Sequence, residues 1–184
     1  MCDIYRFCPP LDGPGLTLRF IAMEDAEALL QVYGDRENVP SFNSDNCTGD
    51  FYMPLLEDMR RCLDFWLKSY AWKQFVRWSI VEKGCVIGTV ECFYRGPSDA
   101  LGDSALLRID LRRDRDTLEV NGEILDLLLP RLKSYFGGRM TAIKAPACVP
   151  GRIAALRARG FIRSEEPLIG HDGTQYFDYW TRPH

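Results

Sequence analysis

The sequence lacks several features that would each point to a particular class of protein. Its apolar runs all fall far short of the roughly 20 residues that cross a bilayer, and residues 1–10 have neither the basic start nor the apolar run of a secretory signal. The formal net charge is -3, so no general basic field is available for nucleic acid. We therefore expect a cytoplasmic protein whose partners are neither membranes nor nucleic acids.

Recognisable metal, disulfide and hydrolase motifs are also missing. The seven cysteines are odd in number and include no C-x-x-C pair, which favours reduced thiols over a metal site or disulfides. There is no G-x-S-x-G elbow, and neither His171 nor His184 forms a recognisable pair with a nucleophile. We expect no metal cofactor and no Ser/His/Asp hydrolase.

A strand followed by a loop and a long helix stands out between residues 104 and 136. Ala105, Leu107, Ile109 and Leu111 alternate with polar residues, which is the two-residue period of a strand. After the polar run 113–119, apolar residues recur at helical spacing. Such a junction directs free backbone N–H groups outward and can bind an anion if the loop lacks obstructing side chains.

The remaining elements surround this unit in a regular order. Residues 1–15 read as an irregular lead-in, and one domain is expected over residues 1–184. Strand-like or helix-like patterns occupy residues 16–21, 24–33, 54–70, 75–82, 85–94, 140–145, 150–160, 161–163 and 174–182. Lys83 and Gly84 predict a two-residue hairpin, and 35–50 predicts a long acidic loop.

This order resembles the acyl-CoA-dependent N-acetyltransferase (GNAT) superfamily along nearly the whole chain. The stretch 18–30, LRFIAMEDAEALL, is similar to the opening of the branch that acetylates N-terminal amines of ribosomal proteins. The stretch 153–161, IAALRARGF, resembles the family's last helix with its closing Gly-Phe pair. The resemblance implies an α/β (α+β) fold, with a mixed, mostly antiparallel sheet of about six to seven strands and about four flanking helices.

The resemblance also implies acetyl-CoA as cosubstrate, held by the loop before the long helix. The family's motif falls on residues 116–121, where Glu119 and Asn121 stand in place of glycines. A carboxylate at this helix start would repel a phosphate, although Glu119 is equally suited to a helix that binds nothing. The implied cofactor-binding residues are Ile109, Leu111, Arg113, Arg115, Asp116, Thr117, Leu118, Glu119, Val120, Asn121 and Gly122.

The family's chemistry suggests further residues. The N–H group that polarises the acetyl carbonyl comes from a bulge in the central strand, which falls on Ile109, Asp110 and Leu111 here. Asp110 and Glu91, on neighbouring strands, are candidate catalytic acceptors of the amine proton. The alternative is that both are exposed carboxylates paired with arginines. The family's Asn and Tyr positions carry Val149 and Leu156, which cannot donate a proton.

The expected reaction moves an acetyl group to a primary amine of a small molecule or a peptide. The acidic segment 35–50 would favour a cationic amine if it borders the acceptor site, and is otherwise a solvated loop. The departures from the motif favour a rival interpretation, in which the chain keeps the fold as an inactive binding or regulatory module. A different acyl donor and a homodimer are further alternatives.

Overall fold

The computed structural model describes residues 3–184, so the thiol of Cys2 lies outside the described residues. Four α-helices are present in this part of the chain: α1 (Ala26–Tyr33), α2 (Leu56–Ala71), α3 (Leu118–Phe136) and α4 (Pro150–Ala158). The strands are β1 (Leu11–Asp12), β2 (Leu16–Phe20), β3 (Val76–Glu82), β4 (Cys85–Arg95), β5 (Ser104–Leu111), β6 (Met140–Lys144), β7 (Ile162–Arg163), β8 (Leu168–Ile169), β9 (Gln175–Tyr176) and β10 (Tyr179–Pro183). Short 3₁₀ turns occur at Met23–Asp25, Arg36–Ser41 and Arg113–Arg115.

Eight strands form one sheet in the order β1-β2-β3-β4-β5-β6-β10-β7, and β8 and β9 form a separate ribbon. All pairs in the large sheet are antiparallel except β5 with β6, which are joined through α3. This confirms the predicted mixed, mostly antiparallel sheet with four helices. The sheet has eight strands rather than the six to seven expected, because the additional strand, β1, has only two residues and leaves no pattern in the sequence.

The sheet is covered on both faces. The apolar side of β5, with Leu107 and Ile109, packs against α3 and α4 in the larger core cluster. A second cluster joins α1 and α2 on the opposite face, where Leu29 and Trp66 are buried. The alternation predicted for β5 is thereby confirmed, since its apolar and charged side chains lie on different faces of the sheet.

Three local predictions need correction. The lead-in is not wholly irregular, because Gly13 N donates to Leu16 O at 2.9 Å and this turn pairs β1 with β2. The acidic segment contains a 3₁₀ turn, with Glu37 N donating to Asp35 Oδ1 at its start. The final strand is divided into β9 and β10 at Asp178, whose φ of 67° does not continue a strand.

Other predictions agree with the structure. Lys83 and Gly84 both have positive φ, 50° and 82°, as a type I′ hairpin between β3 and β4 requires. No helix within residues 3–184 combines the length and apolar character needed to span a bilayer.

Candidate functional site

A buried polar cluster lies between the sheet and helices α1 and α2. Arg77 is 1% exposed and donates from Nη1 to Thr89 Oγ1 at 2.8 Å and to Asp110 Oδ2 at 3.3 Å. Its Nη2 donates to Glu91, and the guanidinium lies 3.9 Å from the Trp66 ring centroid. Arg77 therefore holds both predicted catalytic carboxylates.

The two carboxylates nevertheless face different surroundings. Asp110 is fully buried and accepts from Tyr33 Oη at 2.9 Å, and burial raises the pKa of its carboxyl group. Glu91 is shared by Arg77 and Arg108, with 3.2 Å between Arg108 Nη1 and Glu91 Oε1, and it reaches a large cavity. Both carboxylates are paired with arginine, but neither is exposed as the alternative interpretation expected. Their catalytic role stays a prediction.

The cavity into which Glu91 faces has a volume of about 1230 Å³. Residues of the segment 46–53, α2, β4, the turn 96–98 and the segment 168–171 line it. Cys47 and Cys62 lie in its wall, where burial raises the pKa of Cys62 to about 12 and also raises that of Cys47. Because these two thiols stay protonated near neutral pH, neither is an effective nucleophile for carrying an acyl group.

The parallel pairing of β5 and β6 ends before β5 does, and the gap between the two strands beyond this point is called the cleft. Their parallel pairing ends at Leu107 and Ile143. Arg112 N donates to Ile87 O of β4 at 2.8 Å, so by alternation the backbone polar groups of Ile109 and Leu111 point away from β4 and toward the cleft.

The expected bulge in the central strand is not seen in its pairing with β4. The register of β5 against β4 is unbroken from Ser104 to Leu111, and the register shift lies instead between β3 and β4, at Ile80 and Val81. Gly88 gives the physical reason, because an added Cβ there would lie 2.9 Å from Leu111 Cα. The missing side chain lets the two backbones approach closely enough to stay in register.

Arg152 of α4 is buried in the cleft, against the end of β6 and the loop before α3. Its side chain is 0% exposed and donates from Nη2 to Asp116 Oδ2 at 2.6 Å and from Nη1 to Ser41 O at 3.2 Å. A weaker contact of 3.5 Å joins Nη1 to Lys144 O at the end of β6. The guanidinium thus binds the loop before α3, the 3₁₀ turn and β6 together.

The segment between α1 and α2 closes the cleft from the other face. Asn38 Nδ2 donates to Leu111 O at 2.8 Å. Asp45 contacts Arg108 of β5 and Lys144 of β6, the first residue of each strand beyond the paired part. Lys144 Nζ lies 2.6 Å from Asp45 Oδ1, and Arg108 Nη2 donates to the backbone O of Asp45 at 2.7 Å. Protein groups therefore occupy the space between the two strands.

The loop leading into α3 is packed against α4. An added Cβ on Gly151 would lie 2.5 Å from Asp116 O and 2.8 Å from Thr117 Cα, so the two helix starts touch through their backbones. Thr117 caps α3 by accepting from Val120 N at 3.3 Å, and Asn121 Nδ2 donates to Asp116 Oδ1 at 2.7 Å. Residues 116–121, on which the family's motif falls, therefore form a closed turn held by its own hydrogen bonds.

The remaining predicted cofactor residues lie around this turn. Leu118 and Glu119 are exposed, whereas Val120, Asn121 and Gly122 are buried. Arg113 is paired with Glu37, and Arg115 is paired with Glu82. The carboxylate in the cleft belongs to Asp116, while Glu119 occupies the exposed first turn of α3.

Sequence reasoning missed Arg152, Asn38, Ser41 and Asp45. A signal existed for Arg152, because it lies three and four residues before the buried Ala155 and Leu156, on the apolar face of α4. Val149 and Leu156 are themselves in the apolar core. Within residues 3–184, no group of three or more His, Cys, Asp and Glu side chains is arranged to hold a metal ion.

Comparison with known proteins gives a likeness of fold. No protein-family model matches the sequence, and no curated protein matches it. Mycobacterium smegmatis RimJ in complex with CoA-disulfide has a TM-score of 0.69 and 17% identity, over 95% of this chain and 86% of that one. RimL, a ribosomal L7/L12 alpha-N-protein acetyltransferase in complex with coenzyme A, has a TM-score of 0.70 and 14% identity, over 95% and 98%.

A third solved structure agrees. The microcin C7 self-immunity acetyltransferase MccE, in complex with acetyl-CoA and AMP, has a TM-score of 0.68 and 15% identity, over 94% of both chains. Likenesses at this identity show the fold alone. The chain therefore has the GNAT fold over nearly its whole length, as the resemblance implied.

Proposed function

We propose that this protein is an N-acetyltransferase that moves an acetyl group from acetyl-CoA to a primary amine of a small molecule or a peptide N-terminus in the cytoplasm. One observation carries the proposal: β5 and β6 part after Leu107 and Ile143, next to a cavity whose wall includes Glu91. A donor in the cleft and an acceptor in the cavity would meet at β5. The backbone polar groups of Ile109 face the cleft, and the side chain of Arg108 lines the cavity.

The donor fits this site only in part. The backbone N–H groups of Ile109 and Leu111 face the cleft, and the first turn of α3 at Leu118 and Glu119 is exposed. Arg152 and Asp116 stand in the way, so their ion pair has to open before these groups can hold an acyl-CoA. When bound, the donor would supply an activated acetyl thioester, and Arg152 would then be free to meet its diphosphate.

The chain's own groups would serve the acceptor in the cavity. An amine attacks only when neutral and must lose a proton afterwards. Glu91 is the predicted proton acceptor that reaches the cavity, directly or through a water molecule, whereas Asp110 is enclosed by Tyr33 and Arg77. The protonated state of Cys47 and Cys62 favours direct transfer to the amine over an acyl-cysteine intermediate.

The proposal is tested by comparing the native chain with Asp116→Asn. Asparagine keeps the size of the side chain but removes the charge that holds Arg152. We expect isothermal titration to show that the variant binds acetyl-CoA about 10-fold more tightly, which corresponds to about 1.4 kcal/mol. The variant should also release CoA faster in a thiol assay with a primary amine.

Asp178→Asn is the matched control, because Asp178 pairs with Arg163 on the surface. It should leave acetyl-CoA affinity unchanged, and circular dichroism should show that both variants are folded. If the native chain and Asp116→Asn both fail to bind acetyl-CoA at millimolar concentration and release no CoA, the enzyme proposal is wrong.

The filled cleft favours a second candidate, a GNAT-fold module that binds a ligand in the cavity without acetyl transfer. Arg152, Asp116 and the contact of Gly151 with the loop leave the cleft closed, and Val149 and Leu156 cannot protonate a thiolate. Ligand binding in the cavity together with no acetyl-CoA binding by Asp116→Asn would select this candidate.

A further inference from the structure

The wall of the cavity is unusually rich in aromatic side chains. Eight of its 27 lining residues are aromatic, whereas aromatic residues make up 12% of the chain. Phe65, Trp66, Phe75, Phe93 and Tyr179 are among them, and Phe65 is 54% exposed. A cavity of about 1230 Å³ exceeds the roughly 300–1,000 Å³ of ordinary small-molecule pockets, so one small amine would leave it mostly empty.

Apart from the exposed Asp50, the charged groups in the wall are paired within the protein. Glu91 is bound by Arg77 and Arg108, and Arg95 is paired with Asp99. These pairs leave the buried part of the wall with a net charge close to zero. Few groups there could attract a strongly charged ligand.

Guanidinium groups of the protein already lie over five of the eight aromatic rings: Arg77 over Phe51, Trp66 and Phe75, Arg108 over Phe93, and Arg36 over Tyr52. Arg77 lies 3.9 Å from the centroid of Trp66, and Arg108 lies 5.4 Å from that of Phe93. A ligand with several positive charges would meet these guanidinium groups at most of the rings. The cavity is therefore poorly suited to a polyamine.

The acidic segment 35–50 changes this balance only through Asp50. Glu37 is paired with Arg113, and Asp45 is paired with Lys144. Asp35 accepts a hydrogen bond at the start of the 3₁₀ turn. Asp50 alone of this segment's carboxylates lines the cavity, and it is exposed, so the segment offers a cationic acceptor one carboxylate rather than an acidic wall.

We propose that the cavity binds an amine that carries at least two large apolar groups, with aromatic groups preferred, of the kind found at the N-terminus of an apolar peptide. The aromatic wall would bury these groups, and the free amine would lie toward Glu91. Naming this ligand as the acetyl acceptor rests on the proposed function. Its binding to the cavity does not, because it needs no acetyl-CoA.

Isothermal titration with three dipeptide amides tests the preference: Phe-Phe amide, Lys-Lys amide and Glu-Glu amide. All three carry the same free α-amine and differ only in their side chains. We expect Phe-Phe amide to bind the full-length chain at least about 10-fold more tightly than the other two, since burying one large apolar side chain is worth about that factor or more. Equal or tighter binding of Lys-Lys or Glu-Glu amide would overturn the proposal.

Two variants on α2 and its C-terminal cap locate the binding site. Phe65→Ser removes an exposed ring that lines the cavity, whereas Trp72→Ser removes a ring that is 64% exposed but lies outside it. We expect Phe65→Ser to weaken Phe-Phe amide binding about 5- to 10-fold and Trp72→Ser to leave it within about 2-fold. Equal effects of the two changes would mean that the peptide binds elsewhere.

These titrations contain no acyl donor, so the two proposals fail separately. Retained Phe-Phe amide binding with no acetyl transfer would contradict the proposed function but support the ligand class. Acetyl transfer to Lys-Lys amide in preference to Phe-Phe amide would support an N-acetyltransferase and overturn the ligand class.

Discussion

The cleft and the cavity both adjoin β5, but their walls are built differently. On the cleft side, Arg152 and Asp116 form a buried ion pair, and the starts of α3 and α4 touch through Gly151. On the cavity side, Arg108 and Glu91 are paired within the wall and about 1230 Å³ is left open beside them. Charged groups thus fill one site and only line the other.

This difference shows which half of the proposed reaction is ready in the described state. The cavity can accept a ligand with no rearrangement of the ion pairs around it. The cleft requires one buried pair to separate, and that closed state leaves Arg152 Nε and Asn121 Oδ1 buried without a hydrogen-bond partner. Donor binding would therefore be the step that this chain restricts.

The largest loss of stability is expected for Arg152→Met, which removes the buried ion pair of the cleft. Methionine fills a similar volume but leaves Asp116 as a charge with 7% exposure and the carbonyl of Ser41 without its donor. We expect a loss of about 3–5 kcal/mol in the free energy of unfolding, measured with urea. Arg163→Ala, at an exposed pair, should change it by less than about 1 kcal/mol. Similar values for both variants would show that the cleft is not held by Arg152.

A smaller loss of stability is expected from a change at the contact between the starts of α3 and α4. In Gly151→Ala the new methyl group would meet Asp116 O at 2.5 Å, and the neighbouring atoms belong to backbone that cannot easily move. We expect a loss of about 1–3 kcal/mol in the free energy of unfolding. In Gly49→Ala, in the cavity wall, nothing lies within 4 Å, so stability should be unchanged or rise by up to about 1 kcal/mol. Equal losses would break the comparison between a packed cleft and an open cavity.

The sequence predicted correctly those elements whose patterns involve residues close together in the chain. The alternation along β5, the Lys83-Gly84 turn and the helical spacing of α3 each depend on near neighbours and are confirmed. Two strands of two residues, Leu11–Asp12 and Leu168–Ile169, left no pattern, because their pairing depends on a turn and on a partner strand rather than on their own residues.

The filled cleft could not be predicted in the same way. Asp116 and Arg152 are 36 positions apart, and Ser41 and Arg152 are 111 apart, so only the folded chain brings them together. The predicted obstacle, Glu119, came from a motif alignment that compares residue types at one loop. Such an alignment gives no information on Arg152, which belongs to a later helix and contacts the loop only in the folded chain.

The smallest effect concerns the exposed ion pair farther along the same two helices. Arg159 of the α4 C-terminus donates from Nε and Nη2 to the two carboxylate oxygens of Asp126 in α3, at 2.8 and 2.6 Å, yet Asp126 is 64% exposed. These hydrogen bonds lower the pKa of the Asp126 carboxyl group in the folded state. The pair should therefore stabilise the protein at neutral pH by at most about 1 kcal/mol, because solvent screens it.

Asp126→Asn tests this value and its pH dependence. A carboxyl group whose pKa is lower in the folded state contributes its full stability above the unfolded pKa of about 3.9, and loses it as the pH falls through the folded pKa. The variant should thus be less stable than the native chain by up to about 1 kcal/mol at pH 7, and the difference should shrink near pH 3. Urea unfolding at pH 7, 5 and 3 measures it. A difference as large as that of Arg152→Met would contradict the explanation that burial makes the Arg152–Asp116 pair more important than the Arg159–Asp126 pair. A difference that persists unchanged at low pH would show that the charge of Asp126 is not its source.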